Sequence, residues 1–213
     1  MESQVRGGTR WKRFAVVMVP SVAATACIGV ALAQGALAAS FSVSGQSFKV
    51  SADQLVGYDM IQYGALDTGK DLKGDDAAHP VAVSGFKSAD ITNMCQSVVT
   101  PNIPVLGSVT LRLEAGKDTP VHADNIYIDI SDLKADATFK DLDIGVAAGD
   151  TSNATQMNPG DVSGKKANPY GFAQRASEAV LTGVQQTAWA TTAGTFKLSG
   201  LHMSLSTGSN ECY

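Results

Sequence analysis

Acid–base chemistry in this chain is limited by three histidines, His79, His122 and His202. A serine esterase needs a nucleophile, a base, a carboxylate that orients the base, and donors for the oxyanion. His79 stands in Asp75-Asp76-Ala77-Ala78-His79-Pro80, where Asp76 could orient the imidazole, and His122 precedes Ala123-Asp124. His202 shares the polar face of an alternating segment with Ser204. These five residues are the catalytic candidates, each with the competing reading of an ordinary solvated or hydrogen-bonded side chain. No G-x-S-x-G elbow occurs. The nearest match, Gly160-Asp161-Val162-Ser163-Gly164, has its serine displaced by one, which speaks against an α/β-hydrolase.

Metal and nucleotide chemistry find less. Asp71, Asp75, Asp76 and His79 offer ligands in one loop, and Asp141-Leu142-Asp143-Ile144-Gly145 has a trace of a calcium loop without the bidentate glutamate. Acidic turns in an acidic protein are ordinarily just solvated, and no G-x-x-x-x-G-K phosphate loop is present. The reading assigns neither metal nor cofactor.

The elements that must position these residues have a period of two. In Asn125-Ile126-Tyr127-Ile128-Asp129-Ile130-Ser131 the isoleucines share one face, and Tyr127, Asp129 and Ser131 the other, which predicts a half-buried strand. Val109, Leu111 and Leu113 alternate in the same way, as do Phe41 and Val43, and Phe196 and Leu198. The phase flips at Gly200, after which Leu201, Met203 and Leu205 are apolar. A bulge or tight bend is expected there. Val43-Ser44-Gly45, Val83-Ser84-Gly85 and Leu198-Ser199-Gly200 recur, as do Ala52-Asp53, Ala89-Asp90, Ala123-Asp124 and Ala135-Asp136. The fold class expected is all-β, with short repeated strands forming a β-solenoid-like or folded-over β-sandwich domain. The same residues are also common turn formers. Residues 145–171, rich in Gly, Ala, Asn, Asp and Pro, read as an exposed loop. Residues 172–189 have a helix-like composition, but their threonines and Gly183 favour strand.

Arg6, Arg10, Lys12 and Arg13 precede a run from Phe14 to Phe48 without one charged residue. That pattern predicts a hydrophobic helix over residues 1–39, either a signal peptide cut near Ala31-Leu32-Ala33 or Ala36-Leu37-Ala38, or an uncleaved anchor crossing the membrane through residues 14–33. Pro20 and the small residues favour cleavage. Cys27 is read as a small residue of the apolar helix. Residues 40–213 then form a single extracytoplasmic domain. Without residues 1–39 the 16 basic residues fall to 12 and the 20 acidic to 19, a net charge of −7. Such a charge excludes an electrostatic grip on nucleic acid or on an anionic lipid surface. Cys95 and Cys212 remain, and in an oxidising compartment they read as a disulfide, with two buried thiols the alternative.

Arg-Trp-Lys-Arg-Phe at 10–14, Phe48-Lys49-Val50-Ser51-Ala52-Asp53, and the run from Ala188 to Leu201 that includes Ala-Trp-Ala-Thr-Thr-Ala-Gly-Thr-Phe resemble a family of small exported streptomycete proteins. Most members are of unknown function, and some are catalogued as cholesterol esterase. The resemblance implies an envelope or extracellular location and contact with sterol esters or other lipids. Two functions are expected from these readings. One is a non-enzymatic envelope protein offering an apolar sheet face to lipid or to a copy of itself; the other is a secreted steryl-ester hydrolase with a non-standard Ser/His site.

Overall fold

The computed structural model describes residues 44–150 and 155–213. The expected hydrophobic helix over residues 1–39, Cys27, and the Phe41/Val43 alternation lie outside them. No helix among the described residues is long and apolar enough to span a membrane.

The chain is all-β, as the period-two alternation requires. Its strands are β1 (Phe48–Lys70), β2 (Asp76–Thr92), β3 (Met94–Ile103), β4 (Gly107–Ala115), β5 (Val121–Lys140), β6 (Asp143–Ala147), β7 (Phe172–Thr192), β8 (Thr195–Lys197) and β9 (His202–Thr207), with one short helix, α1 (Pro159–Ser163), before β7. They form one antiparallel sheet in the order β6-β7-β5-β2-β1-β3-β4-β9, with β8 on β5 and a further ladder joining β7 to β1. Because β1 pairs with β2 and β7, and β5 pairs with the same two, the four long strands close into a ring of ladders. Residues 172–189 are strand, as their threonines suggested. Gly200 has φ +66° in the bend before β9, where the phase change was noted.

The expectation of short repeated strands is corrected. β1, β2, β5 and β7 run to 23, 17, 20 and 21 residues, and no ladder is parallel, so the chain is not a stack of solenoid coils. The recurring Ala-Asp pairs lie inside strands. Ala89 faces Ala123 across the β2–β5 ladder, and both are fully buried. Each pair is an inward alanine followed by an outward aspartate, and the small inner side chain lets a tightly coiled sheet close on itself. Glycine does the same at two places. A Cβ on Gly57 would meet the Phe86 ring at 2.3 Å, and one on Gly85 the Tyr127 ring at 2.8 Å.

Two cores result. The larger, inside the ring, gathers Leu55, Met60, Phe86, Ile91, Ile126, Ile128 and Val184 with Met94 of β3 and Ala115 of β4. The smaller lies on the opposite surface of the sheet and contains Ile61, Tyr63, Val81, Val83, Tyr127 and Ala173, covered by Ala148 and Met157. The described residues of 145–171 are thus not simply an exposed loop. Ala148, Thr155, Met157, Asn158 and Asp161 are buried, and the segment straps the sheet. The Tyr127 hydroxyl donates to the Gln156 carbonyl at 3.0 Å, and the Leu66 amide to the Lys166 carbonyl at 2.9 Å. The strand around Tyr127 is in consequence buried on both faces, not one.

Candidate functional site

The sheet's inner surface does not stop at the ring. Val50 of the main core faces Gln96 on β3, and the register carries the same surface outward through β3, β4 and β9. Val98, Leu111 and Leu205 form one cross-strand row; Gln96, Leu113 and Met203 form the next. Exposure rises toward its outer strand: Val98, Leu111 and Leu113 are half-buried, whereas Met203 is 61 % exposed and Leu205 71 %. Where the wing joins the core, Phe48, Met94, Leu113, Ala193, Phe196 and Leu198 line a groove of about 380 Å³. A contiguous apolar surface left open to water costs free energy in proportion to its area.

The opposite, polar surface of the same wing is covered over β3 and the near end of β4, while His202 and Ser204 of β9 are exposed. Cys95 and Cys212 form the expected disulfide, with Cα atoms 5.9 Å apart, and hold the C-terminal tail against it. Thr110 Oγ1 donates to the Gly208 carbonyl at 2.6 Å and accepts from the Asn210 amide at 3.0 Å; the Cys212 amide donates to Ser97 Oγ at 3.1 Å. Thr110 and Ser97 are buried as a result. The tail lies on the polar side and makes no contact with the exposed apolar residues Met203 and Leu205 through these bonds.

The catalytic candidates fall in separate places. His79 faces Asp67 across the β1–β2 ladder, and its ring stacks on Trp189 of β7 at 3.5 Å with 9° between the planes. Asp76 is exposed and pairs with Lys70 at 2.6 Å. Three residues from His79 on an extended strand, it points to the other face and does not orient that imidazole. His122 places Nδ1 2.7 Å from Asp90 Oδ1 and Nε2 3.4 Å from Asp124 Oδ1. The hydrogen bond to Asp90, then the two negative charges, holds its pKa above the ordinary value, and both ring nitrogens already face carboxylates. His202 faces Glu114, and Ser204 faces Arg112. His202, Glu114 and Arg112 border a polar depression of about 680 Å³ with Asp53, Lys117 and Tyr213. Glu114 Oε1 is engaged by Arg112 Nη2 at 2.8 Å and Nε at 3.0 Å. No serine–histidine–carboxylate relay is assembled by these contacts.

The aspartates also have local duties. Asp71 Oδ1 accepts from the amides of Lys73 and Asp75 at 2.8 and 2.9 Å, and these bonds hold its pKa down. It shapes the β1–β2 turn. Among the described residues no group of His, Cys, Asp or Glu side chains converges as a metal site. Gly160-Asp161-Val162-Ser163-Gly164 lies on α1 and its end. Asn158 caps the helix, Oδ1 to the Gly160 amide at 3.0 Å, and Ser163 Oγ bonds back to the Gly160 carbonyl.

One constellation was not singled out from the sequence. Asp67, Asp129 and Asp161, from β1, β5 and the strap, are buried together beside the second core. Tyr63 Oη donates to Asp161 Oδ2 at 2.6 Å and accepts from the Asn158 amide at 2.9 Å. Asp67 Oδ2 and Asp129 Oδ1 reach no donor group among the described residues. The two carboxyl groups hydrogen-bond each other, which places a proton between them, and the Lys166 charge acts on both. Burial first, and then the charge of Asp67, pushes the Asp129 carboxyl up to about 8. Burial also raises Asp67, against the pull of Lys166. The signal that could have located this cluster, Asp129 among isoleucines, is also the pattern of an ordinary outward aspartate.

Residues 44–213 match the family described as "Family of unknown function (DUF6230)". No curated protein and no solved structure matches the chain.

Proposed function

The chain belongs to a family of unknown function, DUF6230, which hands down no reaction, and on the residues and geometry above we propose that it is an exported, non-enzymatic envelope protein that contacts lipid. The observation that carries this reading is the outer edge of the apolar wing, with Met203 and Leu205 exposed and a groove bordered by Phe48, Phe196 and Leu198 at its root. Burying a side chain such as Leu or Met contributes about 1.5–3 kcal/mol, so a few of them suffice for reversible association with a hydrocarbon. The net charge of −7 outside residues 1–39 directs the contact to the apolar body of a lipid and not to an anionic headgroup. Work outside the cytoplasm is supported by the basic and apolar residues 1–39 and by the Cys95–Cys212 disulfide. Residues 14–33 provide a membrane attachment if they are retained.

The resemblance to small exported streptomycete proteins, some catalogued as cholesterol esterase, makes a sterol ester the first lipid to try. A fluorescent cholesteryl ester, titrated into the purified protein and compared with vesicles of neutral phospholipid, tests the reading. Binding to either is expected. In Met203→Asp/Leu205→Asp it should fall by about tenfold or more, since two charges would have to be desolvated. No binding to ester or vesicle, or binding indifferent to the double substitution, would overturn the assignment.

A further inference from the structure

The wing ends in a strand with an open side. β9 is last in the sheet order and bonds only to β4 among the described residues. The Gly208 amide donates to the Ser108 carbonyl, so in an antiparallel ladder positions 206, 204 and 202 also bond to β4. Met203, Leu205 and Thr207 therefore direct their N–H and C=O groups away from it. An open edge of this kind is a template for another strand, and stable monomers blunt it with a charge, a proline, a bulge or brevity. β6, at the sheet's other end and about as short as β9, shows such devices: it starts at Asp143 and breaks register between Ile144 and Val146. β9, His202-Met203-Ser204-Leu205-Ser206-Thr207, contains no proline, lysine or acidic residue, and its register with β4 is unbroken.

We propose that β9 pairs antiparallel with the β9 of a second copy, joining two wings into one six-stranded sheet. A twofold axis at Leu205 sets Leu205 opposite its own copy and Met203 opposite Thr207 in both directions. All three outward-bonding residues are then paired. The same axis continues the row Val98–Leu111–Leu205 into the rotated row of the second copy. The two apolar surfaces become continuous on one side, and the two disulfide-tethered tails lie on the other. A second copy is favoured over an unrelated strand because this register satisfies edge and row together. Pairing through backbone leaves the wing's apolar surface free, so the dimer stands or falls apart from lipid contact.

The mass of the purified protein, followed by sedimentation equilibrium over a range of concentrations, tests this. The wild type should rise toward twice the monomer mass. Leu205→Pro removes an outward N–H without removing a bond to β4 and should weaken dimerisation by about a hundredfold. Leu205→Ser retains that N–H and should remain largely dimeric. On mild oxidation Leu205→Cys should cross-link to its copy, while Ser204→Cys, which does not meet itself across the axis, should not. This last pair keeps the test decisive if the proline variant fails to fold. A wild type that stays monomeric at every concentration, or no cross-link through position 205, would overturn the proposal. Equal loss of the dimer in Leu205→Ser and Leu205→Pro would also overturn it, showing association through apolar side chains.

Discussion

Tyr63 and Asp161, 98 residues apart in the chain, meet through a 2.6 Å hydrogen bond that closes the strap onto the sheet. The tyrosine hydroxyl also accepts from the Asn158 amide, so one side chain satisfies both a carboxylate and a helix cap residue. Tyr63→Phe should destabilise the fold by about 2–3 kcal/mol, because a buried carboxyl and a buried amide lose their partner together. Urea denaturation measures the loss. Hydrogen exchange should show faster opening of residues 155–166 than of β5.

The Asp67–Asp129 pair sets a pH dependence. Both carboxyls have pKa values above the ordinary one, Asp129 at about 8 in the fold against 3.8 for the free group. An acid raised on folding binds its proton more tightly when native, so its contribution is complete below about pH 4 and is lost as pH rises toward 8. Thermal unfolding should show stability declining across that interval. Asp129→Asn, which cannot ionise, should flatten the decline and gain about 2 kcal/mol near pH 9.

His122 titrates separately from that cluster. Its raised pKa comes first from the hydrogen bond to Asp90, and NMR titration should show it dropping toward the ordinary value in Asp90→Asn. A raised base contributes its stability below the unfolded pKa and loses it as pH rises through the folded one. The group is solvent-exposed, so the melting temperature should hardly change. Any ester turnover in a preparation should survive His122→Ala.

Cys212→Ser should reveal how much the tail matters. Opening a loop of 117 residues removes about 4–5 kcal/mol on the chain-entropy account, and the tail would leave Thr110 and Ser97 to water. Reducing agent should lower the wild-type melting temperature and have little further effect on the variant.

The all-β class, the strand around Leu111, the bend at Gly200 and the Cys95–Cys212 bridge were legible in the sequence. Each rests on local spacing or on an even pair of cysteines outside residues 1–39. The closed ring was not, because alternation tells which side chains share a face but says nothing about which distant strand pairs beside it. β1 finds β7 more than a hundred residues away, and that ladder closes the ring whose interior takes the alanines of the Ala-Asp pairs.

Residue type and period by themselves determined that Tyr127 and Asp129 lie on one side of β5 and the isoleucines on the other. Tertiary structure alone decided that a strap covers the first side, so that Asp129 is buried beside Asp67, while the apolar row through Leu205 is left open. The physical reason is that a strand's period is a property of its own backbone, whereas the covering of either face depends on chain that arrives from elsewhere.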